Sequence, residues 1–422
     1  MSKMREGSIP VGSKTALVLA GGGITGAVYH IGALRAIDDL LVDRTVNDFD
    51  IFVGTSSGSL IASLLTNGFS PEEMLQALGG RKTEISPLER RDIFTTNGTD
   101  LLKWGLQLPK RAANAGLQLI QNPREITFFD LIWSLSEALP TGLYDSLGLE
   151  RYVRRILNTP QGTNEFDKVD RDLFIIATDL DSGERIIFGR GYNDAIPISL
   201  AVAASSALPI FYKPVRIGDK EYVDGGLRGT ASLDLAIECG ADLVVCINPI
   251  VPYNNSHNNT YTGESRTHHL SQRGIRSVAD QTLRIMSHSG LEYHIKQLRR
   301  RHPDVDIILI EPHPDDYAMF FNNMMRYSAR LTVARHGFES VTLDLAEDYA
   351  SFKNILERHG IPISRRLVIE ELAEIQQSGY DPEVIQRIME ARSTGCDHKK
   401  RSWPHCQLDR TLAELDMLID NL

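Results

Sequence analysis

Hydrophobic residues fall into two rhythms along this chain. Compact apolar runs occur at Thr15 to Ala20, Phe49 to Val53, Leu173 to Asp179, Ala241 to Ile247 and Val305 to Glu311. Runs this short, rich in β-branched residues, read as strands buried on both faces. Between them apolar positions recur at helical spacing. Ala27 to Leu34 has that pattern, and so do Leu60, Ile61, Leu64 and Leu65, which end at the stop signal Asn67-Gly68.

The remaining segments follow from caps and turns. Ser70-Pro71-Glu72-Glu73 reads as a helix start, and residues 70 to 160 as mostly helical or irregular. The Leu173 strand turns at Asp181-Ser182-Gly183-Glu184 and returns as Arg185 to Phe188. A helix is predicted to contain Ala203 to Pro209, and Tyr222-Val223 leads into Asp224-Gly225-Gly226. A polar surface loop is expected over 252 to 273, a basic helix over 275 to 300, and helices up to residue 390. Strands alternating with helices predict an α/β fold, its mostly parallel sheet covered by helices on both faces. No internal repeat or composition break divides the chain, so one large domain is expected.

Composition narrows the classes. Hydrophobic residues at 42% and charged residues at 24% of 422 positions suffice for a sizeable core. A net charge of −10 argues against a general nucleic-acid surface. No apolar run approaches the ~18 residues of a membrane span. The N-terminus has no apolar stretch behind its basic residues, as a secretory signal would. Four cysteines in such a length make no disulfide framework. A soluble, reduced, cytoplasmic protein is expected, able to touch a membrane surface.

The chemistry begins at Gly54-Thr55-Ser56-Ser57-Gly58, a G-x-S-x-G turn between a strand and a helix. Such a nucleophile elbow projects its serine, here Ser56, while Gly54 and Gly58 let strand and helix approach. Short Gly/Ser patterns also occur in ordinary turns, and the flanking strand and helix distinguish this one. After the first strand, Gly21-Gly22-Gly23-Ile24-Thr25-Gly26 matches the dinucleotide fingerprint G-x-G-x-x-G. That reading wants a second strand ending in an acidic residue, whereas here it ends in the elbow. Successive glycine N–H groups at a helix start also form an anion-binding hollow, and beside a serine elbow that is an oxyanion hole.

The Gly-rich loop, the elbow and a late Asp224-Gly225-Gly226, in this order, resemble the patatin-like phospholipases. The likeness covers residues 13 to 250 and extends through the strand near 310. It includes Ala177-Thr178-Asp179-Leu180 with Gly183, and the block Ala204 to Pro209. The resemblance implies a patatin-like three-layer sandwich over 13–312, a helical extension over 313–390 packed on it, and a tail over 391–422. It implies a serine acyl hydrolase that cleaves carboxylic esters of lipids, phospholipid or lysophospholipid, through a Ser–Asp dyad. Ser56 would be the nucleophile and Asp224 its partner, with Gly22 and Gly23 as oxyanion donors and the Ser57 N–H assisting. The partner is then a lipid substrate, with no cofactor, metal or nucleic acid; the sequence sets no oligomeric state. Two departures stand out. Thr25 replaces a basic residue usual in the family, which bears on phospholipid preference. Leu227 to Ser232 also lacks the Asn-x-Pro that often follows the aspartate motif.

Other readings compete. The same fold could serve a neutral glyceride lipase. A conventional Ser–Asp–His hydrolase would draw its base from His288, His294, His313 or His336. A non-catalytic lipid-binding module would keep the fold and lose the chemistry. Residues 101 to 122 carry Lys103, Lys110 and Arg111 without an acid, beside an apolar stripe that includes Trp104. They read as an amphipathic helix packed on the core, or as a segment that meets anionic lipid. Cys396, His398, His405 and Cys406 cluster in the tail. Adjacent His405-Cys406 and the absence of C-x-x-C argue against zinc, and with Lys399-Lys400-Arg401 the tail reads as a solvated basic stretch.

Overall fold

The computed structural model describes residues 13–81, 83–96, 141–255, 269–314, 316, 319 and 325–391. Segment 101–122 and the tail cysteines and histidines lie outside them. The apolar runs form β1 (Thr15–Leu19), β2 (Ile51–Thr55), β4 (Asp172–Asp179), β9 (Leu243–Ile247) and β10 (Asp306–Ile310). With β5 (Arg185–Gly189), β7 (Val215–Ile217) and β8 (Lys220–Asp224) they build a sheet of order β10-β9-β1-β2-β4-β8-β7, β5 also pairing with β4. The pairs from β10 to β4 are parallel; the pairs β4–β5, β4–β8 and β8–β7 are antiparallel. Short β3 (Gly142–Tyr144) and β6 (Ile210–Tyr212) pair separately.

Helices cover both faces. They are α1 (Gly23–Leu40), α2 (Ser57–Thr66), α3 (Pro71–Leu78), α4 (Arg90–Ile93), α5 (Leu147–Leu157) and α6 (Ile198–Ser205). After them come α7 (Leu233–Glu238), α8 (Ile275–Arg301), α9 (Arg330–Glu347), α10 (Tyr349–Arg358), α11 (Arg366–Gln377) and α12 (Pro382–Glu390). Alternate strand residues serve two cores, as the pleat requires. Leu17, Leu19, Phe52 and Ile175 join the core under α1, α2 and α9, whereas Ala16, Val18, Val53 and Ile176 pack toward α7 and α8. The expected parallel sheet with two helical layers is therefore present. The helix expected through Pro209 ends sooner, at Ser205: the chain turns, the Leu208 N–H donating to the Ser206 carbonyl, and passes through Ile210 at φ 74° into β6, while Pro209 disfavours helical backbone at Leu208.

The register of β4 places the site. Ile175 pairs with both Gly54 of β2 and Phe188 of β5, so those strands flank β4 on opposite sides. Ala177 pairs with both Ile186 of β5 and Asp224 of β8, which puts β8 on the same side as β2. Thr55 faces Ile176 and Asp224 faces Ala177. Two strands running in opposite directions thus meet end to end along one edge of β4, and their C-terminal residues adjoin.

Candidate active site

Ser56 leaves β2 at φ 53° and ψ −123°, outside the regions favoured for residues with a Cβ. Around this strain the glycines have steric reasons. A Cβ on Gly54 would sit 2.4 Å from the Ser59 Cα, and one on Gly58 2.2 Å from the Leu19 carbonyl oxygen. Side chains there would push α2 off β2 and off the end of β1. The Ser59 N–H and hydroxyl both donate to the Ser56 carbonyl, at 3.0 and 2.6 Å, closing the turn. The elbow does not lift its serine into the open, as its sequence suggested. Ser56 is 6% exposed, because the helices around it wall the turn into a cavity.

The Gly-rich loop lies against the elbow. A Cβ on Gly21 would be 3.3 Å from the Ser56 Cβ, and one on Gly22 would meet Pro249 at 2.6 Å. Gly22 and Gly23 open α1, and Ser57 opens α2, where a helix leaves its first N–H groups without intrahelical acceptors. Both helix starts face the same cavity, so their positive dipole ends converge beside Ser56. His30 was missed by the sequence reading. It is buried in α1, its Nε2–H donating to the Ala20 carbonyl at 2.8 Å, and ties α1 to the residue that leads into the loop. Burial pushes its imidazolium down to about 4, so the ring is neutral at pH 7. A lone histidine in a helical pattern gave no signal of this.

Asp224 completes the contact. The Ser56 hydroxyl donates to Oδ2 at 2.5 Å, and Oδ1 accepts from the Gly226 N–H at 2.8 Å. Gly225 must lack a side chain, since a Cβ there would be 2.3 Å from the Ile176 carbonyl oxygen. Asp224 is 4% exposed; burial pushes its carboxyl up to about 6, while bonds from Ser56 and Gly226 oppose the rise. Ser205 ties the end of β2 to β4. Its hydroxyl accepts the Ser56 N–H at 2.8 Å and donates to the Ile176 carbonyl at 2.5 Å. Ser206 donates to the Ser56 carbonyl at 3.2 Å.

Among the described residues, the candidate histidines are engaged elsewhere. His288 bonds Glu311 at 3.0 Å, His313 bonds Asp344 at 2.9 Å, His336 pairs with Asp316, and His294 lies 3.5 Å from Asp234. None is bonded to Ser56. The cavity of about 200 Å³ at the dyad is walled largely by aliphatic groups of α1, α2 and α3, among them Val28, Ile61 and Met74. Among the described residues, its charged lining residues besides Asp224 are Arg284 and Arg330.

The model of the family described as patatin-like phospholipase matches residues 17–237, more than half of the chain. The chain belongs to the patatin-like phospholipase family. Among curated relatives, the probable lipid hydrolase 463L of Invertebrate iridescent virus 6 is 24% identical over 222 residues, covering 53% of this chain and 63% of that protein. The uncharacterized protein YqhO of Bacillus subtilis is 25% identical over 224 residues, 50% and 62% of the two chains. The chain thus spans under two thirds of the length of these relatives. Among solved structures, VipD from Legionella pneumophila aligns over 94% of this chain and 90% of its own at 14% identity, with a TM-score of 0.29. A likeness that distant carries no argument. Against the patatin-like pattern, Thr25 is buried in the first turn of α1, where an unpaired cation would cost far more to bury than a neutral hydroxyl.

Proposed function

We propose that this patatin-like chain is a serine acyl hydrolase acting on carboxylic esters of lipids, with Ser56 as nucleophile and Asp224 as its base. The observation that carries the reading is the 2.5 Å hydrogen bond from Ser56 to Asp224 at the base of an apolar cavity. A hydroxyl attacks an ester only when a base takes its proton, and a buried carboxylate is a stronger base than one in water. Ser56 Oγ attacks the acyl carbonyl as its proton passes to Asp224. The oxyanion so formed accepts N–H groups at the starts of α1 and α2, from Gly22, Gly23 and Ser57. Each such donor is worth roughly a hundredfold or more in rate. Collapse of the intermediate expels the alcohol, which takes the proton from Asp224. A water molecule deprotonated by Asp224 then releases the fatty acid from Ser56.

The aliphatic cavity wall suits an acyl chain, and a phospholipid or lysophospholipid is the proposed substrate. Thr25 favours a second reading, a neutral glyceride, because the Gly-rich loop brings no cation to a phosphate. Hydrolysis of a panel of phospholipids, lysophospholipids and glycerides separates the two. The dyad is tested with a short-chain p-nitrophenyl ester and a fluorophosphonate probe. Ser56→Ala is expected to abolish both turnover and labelling in a folded protein; retained turnover would overturn the assignment.

A further inference from the structure

Helix α8 is inverted over its first half. Ile275, Val278, Ile285, Met286 and Tyr293 share one stripe at helical spacing, and all are exposed, Ile275 at 87% and Met286 at 68%. The inward side of this half is polar. Gln281 exchanges hydrogen bonds of 3.0 and 2.8 Å with the backbone of Tyr253. Arg284 is buried and donates to the carbonyls of Val251 and Met319, both at 3.3 Å, and His288 bonds Glu311. From Leu291 onward the usual order returns, with Leu291, Ile295 and Leu298 in the core.

A surface helix ordinarily turns its apolar stripe to the core, and an exposed stripe marks an interaction site. Two further observations narrow the partner. The stripe adjoins the active-site cavity: Leu283, on the same helix, lines that cavity yet stands exposed, as does Leu227, so the two mark its mouth. Between Ile275 and Gly290 the helix carries Arg276, Arg284 and a single carboxylate, Asp280, which is ion-paired to Arg284 at 3.0 Å. Just beyond, beside Tyr293, Glu292 is 65% exposed and lies 3.9 Å from His288, so in a chain of net charge −10 this face is close to neutral. Apolar side chains on a nearly neutral face, at the mouth of an apolar cavity, fit the acyl chains of a lipid layer.

We propose that the outer stripe of α8 docks the protein on a lipid bilayer and seats the cavity mouth at the headgroup level. The purpose of docking rests on the lipid-ester reading above; docking itself is measured without turnover. Cosedimentation of the full chain, in a Ser56→Ala background, with phosphatidylcholine–phosphatidylglycerol vesicles provides the test. Ile275→Ser with Met286→Ser should lower vesicle partition by about tenfold or more, since burying one such side chain is worth about a tenfold change in affinity. In the Ser56 protein the double variant should leave soluble-ester hydrolysis and Tm unchanged. Unaltered vesicle partition, or a parent protein that does not bind vesicles, overturns the proposal. A lower sedimenting mass for the double variant would assign the stripe to a second copy, and a lowered Tm to a segment of this chain; either result overturns it too. Vesicle binding without esterase activity would sustain the docking surface and refute the catalytic reading.

Discussion

Ser56 is held at a positive φ by bonds on every side: its carbonyl by Ser59 and Ser206, its N–H by Ser205, its hydroxyl by Asp224. In the proposed reaction the charge state of Asp224 governs the use of Ser56. A carboxyl raised to about 6 is protonated below that pH and cannot accept the Ser56 proton. The kcat/KM for a soluble ester is therefore expected to climb with pH, half-maximal near 6; a limb centred near the ordinary value of 3.8 would refute the buried base. The same shift opposes folding. A raised carboxyl contributes stability that is full below its unfolded value and lost as pH rises through about 6. Asp224→Asn should accordingly abolish turnover while leaving Tm at pH 8 no lower than that of the parent. Ser205 acts through Ser56. Ser205→Ala leaves a buried N–H and carbonyl unpaired, which should lower stability by about 1–3 kcal/mol, and the loosened Ser56 should cost about tenfold or more in kcat with KM little changed. A rise in KM at constant kcat would refute that positioning role.

Among the elements, the contact of α1 with α9 decides how the C-terminal helices sit. The two approach through glycine. A Cβ on Gly32 would stand 2.1 Å from the Ala334 carbonyl oxygen, and one on Gly337 2.9 Å from the Tyr29 ring. Backbone cannot yield as a flexible side chain does, so Gly32→Ala must part the helices. Overpacking of this kind costs about 1–3 kcal/mol or more, which should lower the urea midpoint clearly. An unchanged midpoint would mean that α9 does not pack on α1 this closely. The elbow helix α2 and the loop helix α1 share that core, so the same variant should also reduce kcat.

For the whole molecule, a buried charge cluster joins chain segments far apart in sequence. Arg35 of α1 pairs with Asp39, lies 3.6 Å from Glu72 and 3.3 Å from Glu371, and donates to the Ile388 and Met389 carbonyls near the end of α12. Carboxylates outnumber the cation here, and burial with the nearby Asp39 pushes Glu371 up to about 9. The sign is that of a raised acid: its stabilisation is complete below 4.5 and disappears as pH rises through about 9. Tm should therefore decline on the alkaline side, and Glu371→Gln should flatten that decline; a parallel decline in the variant would exclude Glu371 as its source. His30 acts at the other end, since a neutral buried imidazole loses stability as pH falls from 6.5 through about 4.

Much of this was legible in the residues. Apolar period and turn chemistry are local, so the strands at Thr15, Ile51, Asp172, Leu243 and Asp306, the Gly-rich loop and the elbow could be read one segment at a time. The short strands β3, β6 and β7 could not, because three residues carry too little period to be told from loop. Nor could Ser205, whose role depends on how the end of β2 meets β4. Ser56 and Asp224 lie 168 positions apart, and Asp-Gly-Gly by itself is an ordinary turn. What joins them is the register on β4, where β2 ends opposite Ile176 and β8 ends opposite Ala177. The burial that raises Asp224, the glycine contact of Gly32 with Ala334 and the outward stripe of α8 belong to the same class. Each is a relation between surfaces brought together from distant parts of the chain. Local sequence determined which elements form and which side chains could do chemistry; only tertiary packing decided which of them meet, because register and burial are set by the partner element rather than by the segment itself.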